Sequence, residues 1–234
     1  MAGIKLPFNV DGQPPDGITM SYLMTNGMAR IRQGIDIYTH QNVEPLVTSG
    51  QTATQWDSVF IVIVGIIAIG IAEFAGREIG FLLGGFLGGL GGLVTPIIAA
   101  IISMAAYAAG FAGAVYASQY YLQNQKVNVS MPQHSMYYAL VWLPLTLVTA
   151  VLTFFTSAVG LLIVCLFPIF ILVAIAVSLY GIWLLKIAFD RVYGTENNRG
   201  LLTAIVAVVG GGIARVIVGG VLGAIFRISF GSLF

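Results

Sequence analysis

The sequence predicts an all-α protein, a polytopic bundle of transmembrane helices, and three observations predict it. Charged residues make up 8% of the 234 residues, against about a quarter of an average soluble domain. Hydrophobic residues make up 58%, and mean hydropathy is +0.95. The charges are also clustered, and the runs between them reach the ~20 apolar residues that a helix needs to cross a bilayer. This composition excludes an ordinary soluble enzyme, and the net charge of +1 excludes a nucleic-acid-binding protein.

Residues 1–56 are predicted to form a polar and amphipathic segment that precedes the transmembrane domain, 57–234. Apolar residues in this segment recur at intervals of three and four, which aligns them on one face of a helix. They are Met20, Met24, Met28, Ile31, Ile35 and Tyr38. Such a helix either lies on the headgroup surface or packs on the bundle. We expect packing on the bundle.

The uncharged runs of the transmembrane domain are long and show no alternation of apolar and polar residues, so they are predicted to be helices and not barrel strands. Their lengths predict five spans. The spans are placed at 57–75, 97–122, 136–157, 160–187 and 201–226. One run of 47 uncharged residues, between Glu78 and Lys126, would make a helix about 70 Å long. We therefore expect a break at Thr95-Pro96, because proline disfavours helix in the residue before it. Residues 79–95 then form either a further span or a short re-entrant helix.

The loop charges predict a cytoplasmic N-terminus, since cytoplasmic loops favour lysine and arginine. With five spans, the opposite side holds only Arg77 and Arg227. The side of the N-terminus collects Lys5, Arg30, Arg32, Lys126, Lys186, Arg191 and Arg199.

The most distinctive pattern is a four-residue ladder of glycines: Gly76, Gly80, Gly84, Gly88 and Gly92. On a helix this spacing makes a flat groove that another helix backbone can approach closely. The groove fits packing within the chain, self-association or docking to another membrane subunit. A second glycine set occurs in the last span: Gly210, Gly211, Gly212, Gly219, Gly220 and Gly223.

Two ionisable residues are predicted at membrane depth, Glu73 near the end of the first span and Arg215 midway along the last. Charges at this depth are costly and suggest a function or a partner. Four interpretations are open: a Glu73–Arg215 pair, snorkelling of Arg215 to the interface, an ion or proton path, and binding of Arg215 to a partner or an anionic lipid. One helix face also carries hydroxyl groups, from Thr146, Thr149, Thr153 and Thr156.

No catalytic centre, cofactor site or metal site is predicted from the sequence, and no small-molecule substrate is indicated. His40 and His134 fall in predicted polar segments, without a cysteine or aspartate at ligand spacing. Cys165 is predicted within a span, where an apolar setting makes a thiol inert.

Two stretches carry a resemblance to a known family. SLYGIWLLKIAFDRVYGTENNRGLLTAIVAVVG (178–210) resembles the region that joins the last two spans of Yip-family membrane proteins, and MYYALVWLPLTL (136–147) resembles the segment that opens their third span. The resemblance implies five spans and a cytoplasmic N-terminus. It implies no catalytic residues, and the glycine-rich insert before Pro96 departs from the family pattern.

These observations predict a non-catalytic integral membrane protein that acts through glycine-mediated helix packing. It would be a scaffold or accessory subunit of a membrane assembly, with the lipid bilayer and other membrane subunits, or a second copy, as partners. A membrane protein of a lipid-containing virion is a version of the same idea. The alternative is a small channel or transporter that uses Glu73, Arg215 and the threonine face.

Overall fold

The computed structural model describes residues 25, 27–40, 44, 55–83, 91–159, 167–194 and 198–230. Over these residues the chain is helical apart from short connections and contains no strand, which confirms the predicted all-α class. Its helices are α1 (Met28–His40), α2 (Gln55–Leu83), α3 (Gly91–Asn124), α4 (Met131–Val159), α5 (Phe167–Tyr193) and α6 (Arg199–Phe230).

Five helices, α2 to α6, are long and apolar enough to cross a membrane. Their apolar stretches are Asp57–Gly80, Val94–Asn124, Met131–Ala158, Ile171–Tyr193 and Arg199–Phe226. The five stretches correspond to the five predicted spans, since a hydrocarbon core selects helices of this length and composition.

The predicted break at Thr95-Pro96 is wrong, because α3 begins at Gly91 and continues through Pro96. Pro96 is the sixth residue of α3, so it removes the one backbone hydrogen bond that an N–H group there would donate to the carbonyl oxygen of residue 92. Membrane helices tolerate such a loss where neighbouring groups or small local adjustments satisfy the freed carbonyl. The described parts of the predicted element at 79–95 belong to neighbouring helices: 79–83 end α2 and 91–95 begin α3. Residues 84–90 lie outside the described residues.

The most extensive helix contacts join α3 to α6 and α2 to α4, and α2 also packs on α3. Most of the buried apolar core lies where α2, α4 and α6 begin and where α3 and α5 end, and we call this the core end of the bundle. Ile61, Leu140, Leu143, Leu184 and Phe189 are fully buried there. The bundle is therefore most tightly packed at one end.

Helix α1 packs on α4 and α2 at the core end, which confirms the expected packing. Among the described side chains, the face that packs overlaps the predicted stripe only at Ile31, which is partly buried against the core. Ile37 is fully buried, and a Cβ atom added to Gly34 would lie 2.9 Å from the carbonyl oxygen of Leu140. Met28 and Ile35, from the predicted stripe, are 46% and 44% exposed. The predicted face was chosen from the apolar side chains alone. In the structure, α1 comes close to α4 at a glycine, which has no side chain.

Helix α5 packs on the bundle over only part of its length. Large apolar side chains in its first half are exposed: Ile169, Ile171, Leu172, Val173, Ile175 and Leu179. In its second half, Leu184, Ala188 and Phe189 are buried in the core. The first half of α5 therefore faces the surroundings of the bundle.

Candidate functional site

Glycines form a close seam between α2 and α4, which run parallel. A Cβ atom added to Gly76 would lie 2.7 Å from the carbonyl oxygen of Phe154, and one added to Gly80 would lie 2.7 Å from that of Ser157. Both distances are shorter than a van der Waals contact, so these positions accept no larger residue without movement of the backbone. Two members of the predicted ladder thus pack within the chain.

The ladder does not continue along a single helix in the described residues. Gly92 lies in the first turn of α3, on a different helix from Gly76 and Gly80. Gly84 and Gly88 lie outside the described residues.

A second and more extensive glycine seam joins α3 to α6, which run antiparallel. A Cβ atom added to Gly113 would lie 2.5 Å from that of Ala214, and one added to Gly210 would lie 2.4 Å from that of Ala117. One added to Gly211 would lie 2.7 Å from the carbonyl oxygen of Gly110. The α3 side of this seam was not predicted. A detectable signal was present, because small residues recur every four positions along α3: Ala106, Gly110, Ala114 and Ser118.

Helix α6 also carries glycines on the side away from α3. An added Cβ atom would meet nothing within 4 Å at Gly212, Gly220 and Gly223. Val216, on the same side, is 73% exposed. This side of α6, which we call the open face, has the small residues of a packing surface but no neighbour among the described residues.

Glu73 and Arg215 do not form an ion pair with each other. Glu73 is buried, and Arg77, one turn further along α2, donates from Nε to its carboxylate oxygen Oε1 at 2.5 Å. An acid and a base four residues apart meet on one helix face. The sequence therefore contained the correct partner for Glu73 at a predictable spacing.

Arg215 instead lies over the ring of Tyr107 on α3, with its guanidinium carbon 3.8 Å from the ring centroid. Tyr107 is only 5% exposed. No hydrogen bond of good geometry reaches its hydroxyl group within the described residues, although Thr149 and Arg215 lie nearby. A cation above an aromatic face is attracted by the ring quadrupole. The contact between Arg215 and Tyr107 was not predicted, because it joins two helices that are far apart in the chain.

Arg215 and Tyr107 line a cavity of about 210 Å³ between α3, α4, α5 and α6. Most of its wall is apolar, and Trp142 contributes an aromatic surface. On the side of α5 and α6, the exposed residues Ser178 and Gly212 line the cavity. The cavity therefore reaches the surface between these two helices, at the level of the membrane.

A buried polar network joins α3, α4 and α5 at the core end. His134 is fully buried; its Nε2 lies 2.7 Å from the hydroxyl oxygen of Ser118, and its Nδ1 lies 2.8 Å from that of Tyr193. The imidazole also stacks on Phe189, with ring centroids 5.4 Å apart. The sequence placed His134 in a polar segment, which is wrong, because α4 begins at Met131 and carries it into the bundle. The network connects three helices and is satisfied internally.

Three of the four hydroxyl groups on the threonine face of α4 are hydrogen-bonded to their own helix. The hydroxyl groups of Thr146, Thr149 and Thr156 donate to the carbonyl oxygens one turn back, at 2.8 to 2.9 Å. This is the usual local hydrogen bond of threonine in a helix.

With five apolar helices of spanning length, the chain is an integral membrane protein that crosses the bilayer several times. Comparison with protein families, curated proteins and solved structures finds no match. The resemblance to Yip-family proteins therefore stays a prediction.

Proposed function

We propose that the protein is a non-catalytic subunit or scaffold of a membrane assembly, which holds its partner through close helix packing. The observation that carries the proposal is the open face of α6. Gly212, Gly220 and Gly223 have empty space where a side chain would be, and small residues let a second helix backbone approach closely in a membrane. The other side of the same helix already holds α3 in this manner.

The exposed first half of α5 supports the proposal. Its apolar side chains and the open face of α6 are both uncovered, so a partner helix would find two neighbouring packing surfaces. In lipid, apolar exposure alone is not a driving force, because lipid tails are as apolar as leucine. Small residues supply the close backbone contact that lipid cannot match.

Several polar groups inside the membrane are already bonded to other groups of the protein, which favours a subunit or scaffold over a channel or transporter. Glu73 is paired with Arg77, and the hydroxyl groups of Thr146, Thr149 and Thr156 are bonded to their own helix. A channel or transporter that uses these groups would have to break these contacts. Ion flux through reconstituted vesicles that disappears with Glu73→Gln would favour the channel.

The experiment is purification of the tagged protein from its native membrane in a mild detergent. We expect a partner in fixed stoichiometry, or a second copy, with the wild-type protein. Gly220→Leu, which fills the open face, should lose that partner. Ala112→Leu, the same kind of change at an exposed position of α3, should keep it. A wild-type protein that elutes as a lone monomer contradicts the proposal.

A further inference from the structure

Arg215 carries a charge at membrane depth that no carboxylate of the described residues neutralises. The ion pairs in the described part of the chain join other residues, and Arg215 lies midway along the apolar stretch of α6. A charge at this depth is costly and is normally paired. The ring of Tyr107 covers one face of the guanidinium, but a guanidinium has five N–H donors and needs acceptors for them.

A second polar group, the hydroxyl of Tyr107, lies beside it, with Thr149 also nearby. The Tyr107 hydroxyl is buried and has no hydrogen bond of good geometry within the described residues. Both side chains line the same cavity. A guanidinium and a phenol that share one cavity are suited to an anionic group, since arginine binds carboxylate and phosphate through paired hydrogen bonds.

The remainder of the cavity is suited to hydrocarbon. Its wall includes Val141, Leu145, Ile182, Leu185 and Val208. The volume of about 210 Å³ exceeds that of an engineered apolar cavity of about 150 Å³ that binds benzene. A segment of an acyl chain therefore fits inside, with the rest of the chain extending out of the opening.

The opening faces lipid and not water. It lies between α5 and α6, at the exposed residues Ser178 and Gly212. Gly212 has nothing within 4 Å of an added Cβ atom, and the first half of α5 is exposed beside it. A ligand would therefore enter sideways from the membrane, which selects a molecule that is already dissolved in the bilayer.

We propose that this cavity binds an anionic amphiphile of the membrane. Its carboxylate or phosphate group meets the guanidinium of Arg215 and the hydroxyl of Tyr107, and its hydrocarbon lies in the apolar part of the cavity. The opening of this site shares Gly212 with the open face of α6, so a partner helix on that face would cover the entrance. The two proposals are therefore tested separately, here by lipid titration and above by the partner that Gly220→Leu should lose.

The test uses Trp142, which lines the cavity, as a fluorescent reporter, in a background where Trp56 and Trp183 are replaced by phenylalanine. The protein is placed in nanodiscs of phosphatidylcholine and titrated with a lipid that carries bromine on its chain, which quenches tryptophan on contact. Three probes are compared: brominated oleate, brominated phosphatidylglycerol and brominated phosphatidylcholine. They distinguish a free carboxylate, a lipid phosphate and a zwitterionic head.

We expect at least one anionic probe to quench Trp142 fluorescence saturably at a low mole fraction. The zwitterionic probe should quench it only in proportion to its abundance in the bilayer. Arg215→Gln should raise the half-saturating mole fraction about tenfold or more, because it removes a charge-assisted hydrogen bond. Gly212→Leu should do the same by blocking the opening, and it keeps the test valid if Arg215→Gln fails to fold. Ala112→Leu is the matched control and should behave as the parent.

Saturation by oleate alone identifies a carboxylate ligand, and saturation by phosphatidylglycerol alone identifies a lipid phosphate; both support the proposal. Equal quenching by all three probes overturns it. It is also overturned if Gly212→Leu and Ala112→Leu give the same titration curve.

Discussion

Replacing Gly113 with alanine adds one methyl group to the seam between α3 and α6. The added Cβ atom would lie 2.5 Å from the Cβ atom of Ala214 and 2.8 Å from the carbonyl oxygen of Gly210. Carbon atoms in good contact are about 3.5–4.0 Å apart. Neither neighbour is a flexible side chain that could move aside. The two helices must therefore separate by about 1 Å at this point.

The magnitude follows from two opposing effects. Alanine is favoured over glycine within a helix by about 1 kcal/mol. Extra volume in a packed core costs about 1–3 kcal/mol, because neighbouring contacts are stretched. Gly212→Ala carries the same helix-propensity gain, but its methyl group enters open space. The free energy of unfolding should therefore be about 1–3 kcal/mol lower for Gly113→Ala than for Gly212→Ala.

The assay is thermal unfolding of both variants in the same mild detergent, followed by tryptophan fluorescence. For a chain of this length, 1 kcal/mol corresponds to about 2–4 °C in Tm. We expect the Tm of Gly113→Ala to lie below that of Gly212→Ala by about 2–12 °C. Equal Tm values for the two variants would refute the close α3–α6 contact and the reasoning built on it.

Two further predictions concern the polar contacts. In a double-mutant cycle on unfolding, Glu73 and Arg77 should show a coupling free energy of about 0.5 kcal/mol or more, because they share a helix face and an ion pair. Glu73 and Arg215 should show a coupling near zero, and a larger coupling for this second pair would contradict the assignment of partners. His134→Phe should lower the free energy of unfolding by about 1 kcal/mol, because it keeps the ring but loses two hydrogen bonds of about 0.6 kcal/mol each. Tyr193→Phe loses one of them, so its effect on Tm should be about half as large; an equal or larger effect would count against the network.

The number and placement of the helices could be predicted because they depend on hydropathy along the chain. The lipid core imposes a length and a composition that are visible in the sequence itself. Where the prediction failed, at Pro96, the local preference of proline was given too much weight. A membrane helix tolerates the loss of the single backbone hydrogen bond that a proline removes, and α3 continues through Pro96.

Contacts between helices were less predictable. Glu73 and Arg77 lie on one helix, so their spacing was informative. Arg215 and Tyr107 lie on different helices, and no pattern within either helix indicates that their side chains meet. His134 appeared polar and peripheral, because a buried histidine differs from an exposed one only through the hydroxyl groups that surround it in the fold.

The two glycine seams join helices that are not consecutive in the chain, α2 with α4 and α3 with α6, and this has a consequence for biosynthesis. Roughly a hundred residues separate the end of α3 from the end of α6, so at ~5–20 residues per second translation needs about 5–20 s to deliver the partner. During that interval the glycines of α3 face lipid or the insertion machinery. In a ribosome-bound chain that stops before α6, a photoreactive lipid should therefore label α3 around Gly110 and Gly113, and the complete chain should protect this part of the helix.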